Sequence, residues 1–187
     1  MKRRTILVAS LAVAAMLSVP AVLSADTNNS TRDTVKVSQV AAYLYTFEQQ
    51  AAEVSRDAET LLSLSRNHLI RWESHTYYLN SLRHDVNDMG RMLTELEEMR
   101  PQASAAQQMA IERVRPHLAA AADEIGEASN LIRADHWNLR QSEYKETVAD
   151  LSRHADGLYQ TVDTIVDYHN ANDRLQTLEP ANGSSEN

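Results

Sequence analysis

Apolar residues recur every three or four positions through most of the chain, separated by charged and amide residues. This spacing places one apolar stripe along the face of an amphipathic helix. The four stripes, in chain order, are Val37, Val40, Leu44, Phe47, Ala51, Val54, Ala58 and Leu61; Leu79, Leu82, Val86, Met89, Leu93 and Leu96; Ile111, Val114, Leu118, Ala121, Ile125, Ala128 and Ile132; and Tyr144, Val148, Leu151, Ala155, Leu158, Val162 and Ile165. The sequence therefore predicts an all-α protein in which four helices share one core.

The connection between the first two helices carries no glycine or proline, so its position depends on the stripe itself. The stripe positions there are Ser65, His68, Trp72 and His75, none of them aliphatic. This loss of core character predicts a turn within residues 65–75 and an up-down-up-down four-helix bundle with a heptad-like core. The alternative is one helix of about 65 residues, roughly 95 Å long, in a long helical hairpin or a coiled-coil dimer.

Other helix boundaries follow from local signals. Ser30 and Asp33 have the spacing of a capping box, which predicts that the first helix starts there. Pro101 is expected to lie in the first turn of the third helix, directly after the second helix ends at Arg100. Residues 134–137 predict the turn before the fourth helix.

Pro116 lies inside the third stripe. Proline removes one backbone hydrogen bond, so the third helix is expected to be kinked or split there. Antiparallel packing of the third and fourth helices brings Pro116 close to Gly157, where a glycine could accommodate the distortion.

The first residues have the pattern of an export signal. Lys2, Arg3 and Arg4 precede an apolar stretch from Ile6 to Leu23, and Ser24 and Ala25 supply small residues for cleavage. The alternative is a retained anchor, because about 18 apolar residues lie at the lower limit for spanning a bilayer. The predicted organisation is a signal peptide at residues 1–25, a flexible segment at 26–33, the helical domain at 34–178 and a disordered tail at 179–187.

Composition excludes several protein classes. The 187 residues contain only four glycines and no cysteine, which argues against turn-rich β folds and against disulfide, zinc-ribbon or iron–sulfur chemistry. Cleavage at residue 25 would remove three of the 18 basic residues and none of the 26 acidic ones, leaving a net charge of about −11. Such a surface repels nucleic-acid phosphates and anionic lipid head groups. We therefore expect an exported or periplasmic protein with neither nucleic acid nor membrane as a partner.

No arrangement of residues points to catalysis, so no catalytic residue and no cofactor are assigned and the protein is expected not to be an enzyme. A di-metal site of the ferritin-like kind needs Glu-x-x-His, which is absent from the sequence. The spacings His84/Asp88 and Asp150/His154 are those of surface pairs one helical turn apart. Haem bound by His169 and a methionine, in the manner of cytochrome b562, is a weaker alternative, with Met99 and Met109 as the methionines nearest to that end.

One end of the predicted bundle gathers two turns, because residues 65–75 and 133–138 both lie there in an up-down-up-down arrangement. The residues brought together are His68, Trp72, His75, His136 and Trp137. In the first interpretation, the tryptophans plug the end of the core and the histidines are solvated. In the second, Trp72 and Trp137 bind a partner, and His68, His75 and His136 are weak candidates for metal ligands.

The motif Arg113-Val-Arg-Pro-His-Leu118, the alanine-rich run after it, and Val166-Asp-Tyr-His169 resemble a group of uncharacterised exported helical proteins of bacteria. The resemblance implies an extracytoplasmic setting and no particular activity.

Two functional hypotheses follow. The first is a non-catalytic interaction or scaffold protein whose partner is another envelope protein or a second copy of itself. The second is a bundle that binds a small ligand or a metal ion.

Overall fold

The fold is a four-helix bundle with up-down-up-down connectivity, as the apolar stripes predict. The computed structural model describes residues 26–67 and 69–182. Its helices are α1 (Asp26–Ser65), α2 (Trp72–Met99), α3 (Ala105–Ala134) and α4 (Ser142–Asn182), with short 3₁₀ helices at Arg100–Gln102 and His136–Arg140. Each helix packs against the next along the chain, and α1 packs against α4, so the bundle closes. The single long helix is excluded, because α1 ends at Ser65 and α2 begins at Trp72.

The core consists of the predicted stripe residues. In α2 and α3 every stripe residue is buried, and in α1 the same holds from Val40 to Leu61. Alanines such as Ala51, Ala121 and Ala155 have no exposed surface, and their small side chains allow the helices to approach closely. In α4 the stripe moves forward by one residue at its end, since Val166 is buried and Ile165 is only half-buried. Three heptads of a straight helix drift by roughly 60° in total, which brings Val166 nearer the core than Ile165.

Two predicted helix starts were wrong. Helix α1 begins at Asp26, so Ser30 and Asp33 lie inside it, and it includes the segment 26–33 that was expected to be flexible. Pro101 lies in the 3₁₀ helix Arg100–Gln102, and the N-cap of α3 is Ser104. There Ser104 Oγ accepts from Gln107 N at 3.3 Å, and Gln107 Oε1 accepts from Ser104 N at 2.9 Å. This capping box, and not the proline, starts α3.

Pro116 does not split α3, which is continuous from Ala105 to Ala134. The proline is exposed, so the backbone carbonyl that loses its hydrogen bond lies on the solvated side of the helix. Gly157 does lie beside this part of α3, as expected. Its missing side chain makes room for the ring of His117 and not for a bulge: a Cβ atom at residue 157 would lie 2.7 Å from His117 Cε1.

Helix α4 continues to Asn182 and so includes residues 179–182 of the segment that was expected to be disordered. The predicted signal peptide at residues 1–25 and the last residues of the tail, 183–187, lie outside the described residues. Among the helices that are described, none combines the length and the apolar character needed to cross a membrane.

Candidate functional site

The two turns predicted to meet do meet at one end of the bundle. We call the surface formed by residues 65–75 and 133–141 the turn end. A cleft of about 240 Å³ lies between the two connections. Its lining includes four of the five residues that sequence reasoning brought together: Trp72, His75, His136 and Trp137. The fifth, His68, lies outside the described residues.

Aromatic stacking organises the exposed part of the turn end. The rings of Trp72 and His136 are parallel within 11°, with centroids 4.1 Å apart. The guanidinium carbon of Arg140 lies 4.5 Å from the centroid of a Trp137 ring, in cation–π geometry. Asp135 fixes this segment, because its Oδ1 accepts from the backbone N–H of Trp137 at 2.9 Å and caps the 3₁₀ helix. Each exposed aromatic side chain at the turn end is therefore held by a neighbour from the other connection or from its own turn.

His75, which lines the cleft, belongs to a buried polar pair that sequence reasoning did not identify. His75 Nδ1 and Tyr144 Oη are 2.8 Å apart, and both residues are almost fully buried. Burial lowers the pKa of His75 and raises that of Tyr144, so the pair is neutral near pH 7. Each residue appeared in the sequence as a polar member of an apolar stripe. The sequence therefore showed that each residue lies on a core-facing position. It did not show the alignment of the helices that places His75 beside Tyr144.

The interpretation of the tryptophans as a plug was wrong. Trp137 is 64% exposed and Trp72 is 36% exposed, whereas His75 is 2% exposed. The plug interpretation expected buried tryptophans and solvated histidines, whereas His75 is buried and Trp137 is exposed. His75 can be buried because its ring nitrogen and the Tyr144 hydroxyl are hydrogen-bonded to each other. The Trp137 indole lies mostly in solvent, and part of the Trp72 indole is exposed. Leu69, 89% exposed, extends the same apolar surface.

A second cleft of about 240 Å³ lies on the other side of the Trp72–His136 stack. It runs between α2 and α3, and both stacked rings line it as well as the first cleft. Arg83 contributes to its wall and is held there by Ser129 Oγ at 2.6 Å and Asn80 Oδ1 at 3.1 Å. The stacked rings therefore stand as a ridge between two grooves.

The charge of the turn end differs from that of the whole chain. The chain carries a net charge of −8, but residues 65–75 and 133–141 contain four arginines, Arg66, Arg71, Arg133 and Arg140, against two acidic residues. One of these, Glu73, is an ion-pair partner of Arg71, whose guanidinium lowers the pKa of the carboxyl group. The aromatic ridge thus lies in a locally basic region of an acidic protein.

Two of the three candidate metal ligands, His75 and His136, lie among the described residues, and both line the first cleft. His75 uses Nδ1 in its hydrogen bond to Tyr144, and His136 is stacked on Trp72. Within residues 26–67 and 69–182, no three or more histidine, aspartate or glutamate side chains are grouped so that they could hold a metal ion.

The other sequence candidates lie elsewhere in the bundle. His84 and Asp88 form the expected exposed pair, with Nδ1 and Oδ1 at 3.6 Å. His169 lies in a cleft with Tyr45, Gln107 and Ile165 at the opposite end. Neither Met99 nor Met109 lines that cleft, so the structure does not bring the histidine and a methionine together there as a haem site would require.

Comparisons with protein-family models, with curated proteins and with solved structures find no match to this chain.

Proposed function

We propose that this protein is an exported, non-catalytic interaction protein whose turn end binds an acidic segment of another protein. The observation that carries the proposal is the exposure of Trp137, Trp72 and Leu69 together on a surface that also presents arginines. Tryptophan and arginine are the residue types most enriched in the energetic centres of protein interfaces. The basic n-region and apolar stretch at residues 2–23 support export.

The rigidity of the ridge supports binding. Trp72 is stacked on His136, and Trp137 is covered on one side by Arg140. Side chains that are already held in place lose little conformational entropy when a partner packs on them. Fixed aromatic groups flanked by grooves suit an extended polypeptide segment that crosses the ridge and inserts side chains on either side.

Charge complementarity selects an acidic partner. Arg140 lines the first cleft and Arg133 lines the second, and guanidinium groups can bind carboxylates through paired hydrogen bonds. A basic segment would instead be drawn towards the acidic remainder of the protein. Affinity for the partner should therefore fall as salt concentration rises.

The size of the two clefts argues for a polypeptide and against a small ligand. Each measures about 240 Å³, below the roughly 300–1,000 Å³ typical of sites that enclose a drug-sized molecule. Both are open and share one wall, so together they suit alternate side chains of one segment better than a single enclosed compound.

Site-directed photo-crosslinking in the native envelope tests this proposal. A photoreactive amino acid replaces Leu69, which is 89% exposed at the turn end, and in a second strain replaces Tyr168, which is 57% exposed on α4 away from it. We expect position 69 to give a discrete crosslinked species and position 168 to give none. Mass spectrometry should place the crosslink in an acidic segment of a different protein. Added salt before irradiation should reduce its yield.

The variant Trp137→Ala/Arg140→Ala, made with the photoreactive residue still at position 69, should abolish the crosslink. Crosslinks of equal yield from positions 69 and 168 would contradict the proposal. So would crosslinks only between two copies of this chain, or capture of a basic segment.

A further inference from the structure

A second group of side chains lies away from the turn end, between α3 and α4. His117 and His154 face each other across the two helices, with ring centroids 6.0 Å apart and ring planes inclined by 53°. Both are half-buried, so each ring is partly fixed by packing and partly reachable from solvent. They are 37 positions apart in the sequence, and only the antiparallel packing of α3 and α4 brings them together.

The absence of a side chain at Gly157 leaves room for the His117 ring in this position. A Cβ atom at residue 157 would lie 2.7 Å from Cε1 and 2.9 Å from Nδ1 of His117, so any other residue would displace the ring. Glycine is unfavourable in the interior of a helix. Gly157 lies three residues after His154, and the His117 ring packs against its backbone. Gly157 and His154 thus lie on the same part of α4.

The separation of the two rings suits a shared metal ion. A divalent transition metal binds imidazole nitrogen at about 2.0–2.1 Å, so two imidazoles on one ion have ring centroids roughly 5–6.5 Å apart. The observed 6.0 Å falls within that range.

The surroundings favour a cation. Glu124 lies near His154 and has its carboxyl pKa raised by burial first, and then by the negative charges of Glu127 and Asp150. These carboxylates belong to an acidic groove along α3 and α4, lined also by Glu143 and Glu146. Arg153 neutralises part of this charge by pairing with Asp150. The remaining negative potential raises the local concentration of cations beside the histidine pair.

We propose that His117 and His154 together bind one divalent transition-metal ion, with Cu²⁺ preferred over Zn²⁺. Imidazole nitrogen suits both metals, and Cu²⁺ is the most tightly bound of the first-row divalent ions. No third ligand side chain converges with the pair in the described part of the chain. The ion therefore keeps open positions that water fills. This site is independent of the turn end and of the proposed docking function.

Calorimetric titration of the purified chain, without an affinity tag, with Cu²⁺ and then with Zn²⁺ tests the proposal. We expect one principal site, tighter for Cu²⁺, and an electron paramagnetic resonance spectrum of the copper form that shows two nitrogen ligands. His117→Ala and His154→Ala should each weaken binding at least tenfold. His84→Ala is the matched control, because His84 has the same four-residue spacing to an aspartate as His154 but lies in the exposed His84–Asp88 pair. It should leave the affinity unchanged.

Gly157→Ala gives a test that keeps both ligands. Its methyl group displaces the His117 ring, so Cu²⁺ affinity should fall while circular dichroism shows an intact helical protein. His154→Gln, which keeps a polar side chain of similar size, covers the case in which His154→Ala fails to fold. The proposal is overturned if wild-type protein binds no Cu²⁺, if the histidine variants bind it as tightly as wild type, or if His136→Ala removes the site instead.

Discussion

The connection between α2 and α3 lies at one end of the bundle and the turn end lies at the other. The two ends differ in how their polar and aromatic side chains are used. At the first, Ser104 and Gln107 cap α3 reciprocally, Ala103 is buried, and two ion pairs, Arg100 with Glu112 and Arg115 with Glu97, tie α2 and its 3₁₀ helix to α3. These contacts satisfy groups within the chain. The turn end instead closes the core with a buried polar pair and leaves Trp137 mostly exposed and Trp72 partly exposed. On the proposed function, the α2–α3 connection stabilises the fold and the turn end binds a partner.

The largest effect is expected from the buried pair beneath the ridge. Tyr144→Phe removes the hydroxyl and leaves Nδ1 of buried His75 without its hydrogen-bond partner, which should lower the free energy of unfolding by about 1–3 kcal/mol. Chemical denaturation measures it. Tyr159→Phe is the matched control on the same helix, because its hydroxyl donates to Asp163 Oδ1 at 3.3 Å in a partly exposed position. Equal losses for both variants would contradict the role given to the buried pair.

The next effect concerns the α2–α3 connection. Ser104→Ala removes the acceptor for Gln107 N and should cost about 1 kcal/mol of unfolding free energy, as is typical for loss of an N-cap. Ser63→Ala, at an exposed position in the last turn of α1, serves as the control and should change stability little. A Ser104→Ala variant as stable as wild type would show that the capping box is not what fixes this end.

Stability should depend on pH through His75. Burial lowers its pKa in the folded protein, so below the unfolded value of about 6.5 the unfolded chain binds more protons than the folded one. Stability from this group is therefore present above about pH 6.5 and is lost as pH falls towards the folded pKa. Between pH 7 and pH 5, the free energy of unfolding of His75→Phe should decline less than that of wild type. Parallel curves for wild type and His75→Phe would contradict this account.

The smallest effect on the free energy of unfolding is expected for Trp137, although its side chain is large. Trp137 is 64% exposed, so Trp137→Ala should change the free energy of unfolding by less than about 0.5 kcal/mol. Denaturation followed by circular dichroism, which does not rely on tryptophan emission, gives the value. A loss comparable with that of Tyr144→Phe would restore the interpretation of Trp137 as part of the core.

Much of the fold could be predicted from the sequence because helical periodicity is a local signal. The stripes gave the core of all four helices, and the non-aliphatic positions Ser65, Trp72 and His75 gave the turn. The Ser-x-x-Gln pattern at Ser104 is that of a capping box. The start of the third helix was instead predicted from Pro101. The end of the α4 stripe was wrong because a strict heptad ignores the drift of a straight helix.

The candidate site was only partly predictable. Connectivity alone placed Trp72, His75, His136 and Trp137 at one end. Which of them is buried depends on the register between α2 and α4, which decides that Tyr144 lies opposite His75. The neighbours His117 and His154 depend likewise on the register of α3 and α4, together with the space left at Gly157. Register between helices is set by packing over the whole interface, and no local pattern specifies it.

The comparison of the two ends is tested most directly by one paired measurement on Trp137→Ala/Arg140→Ala, with the photoreactive residue at position 69. Crosslink yield in the envelope and free energy of unfolding are measured on the same variant. We predict that the crosslink is lost while the free energy of unfolding stays within about 0.5 kcal/mol of the parent protein. A crosslink that persists in a stable variant, or one that is lost only together with stability, would contradict the proposal that the turn end binds a partner.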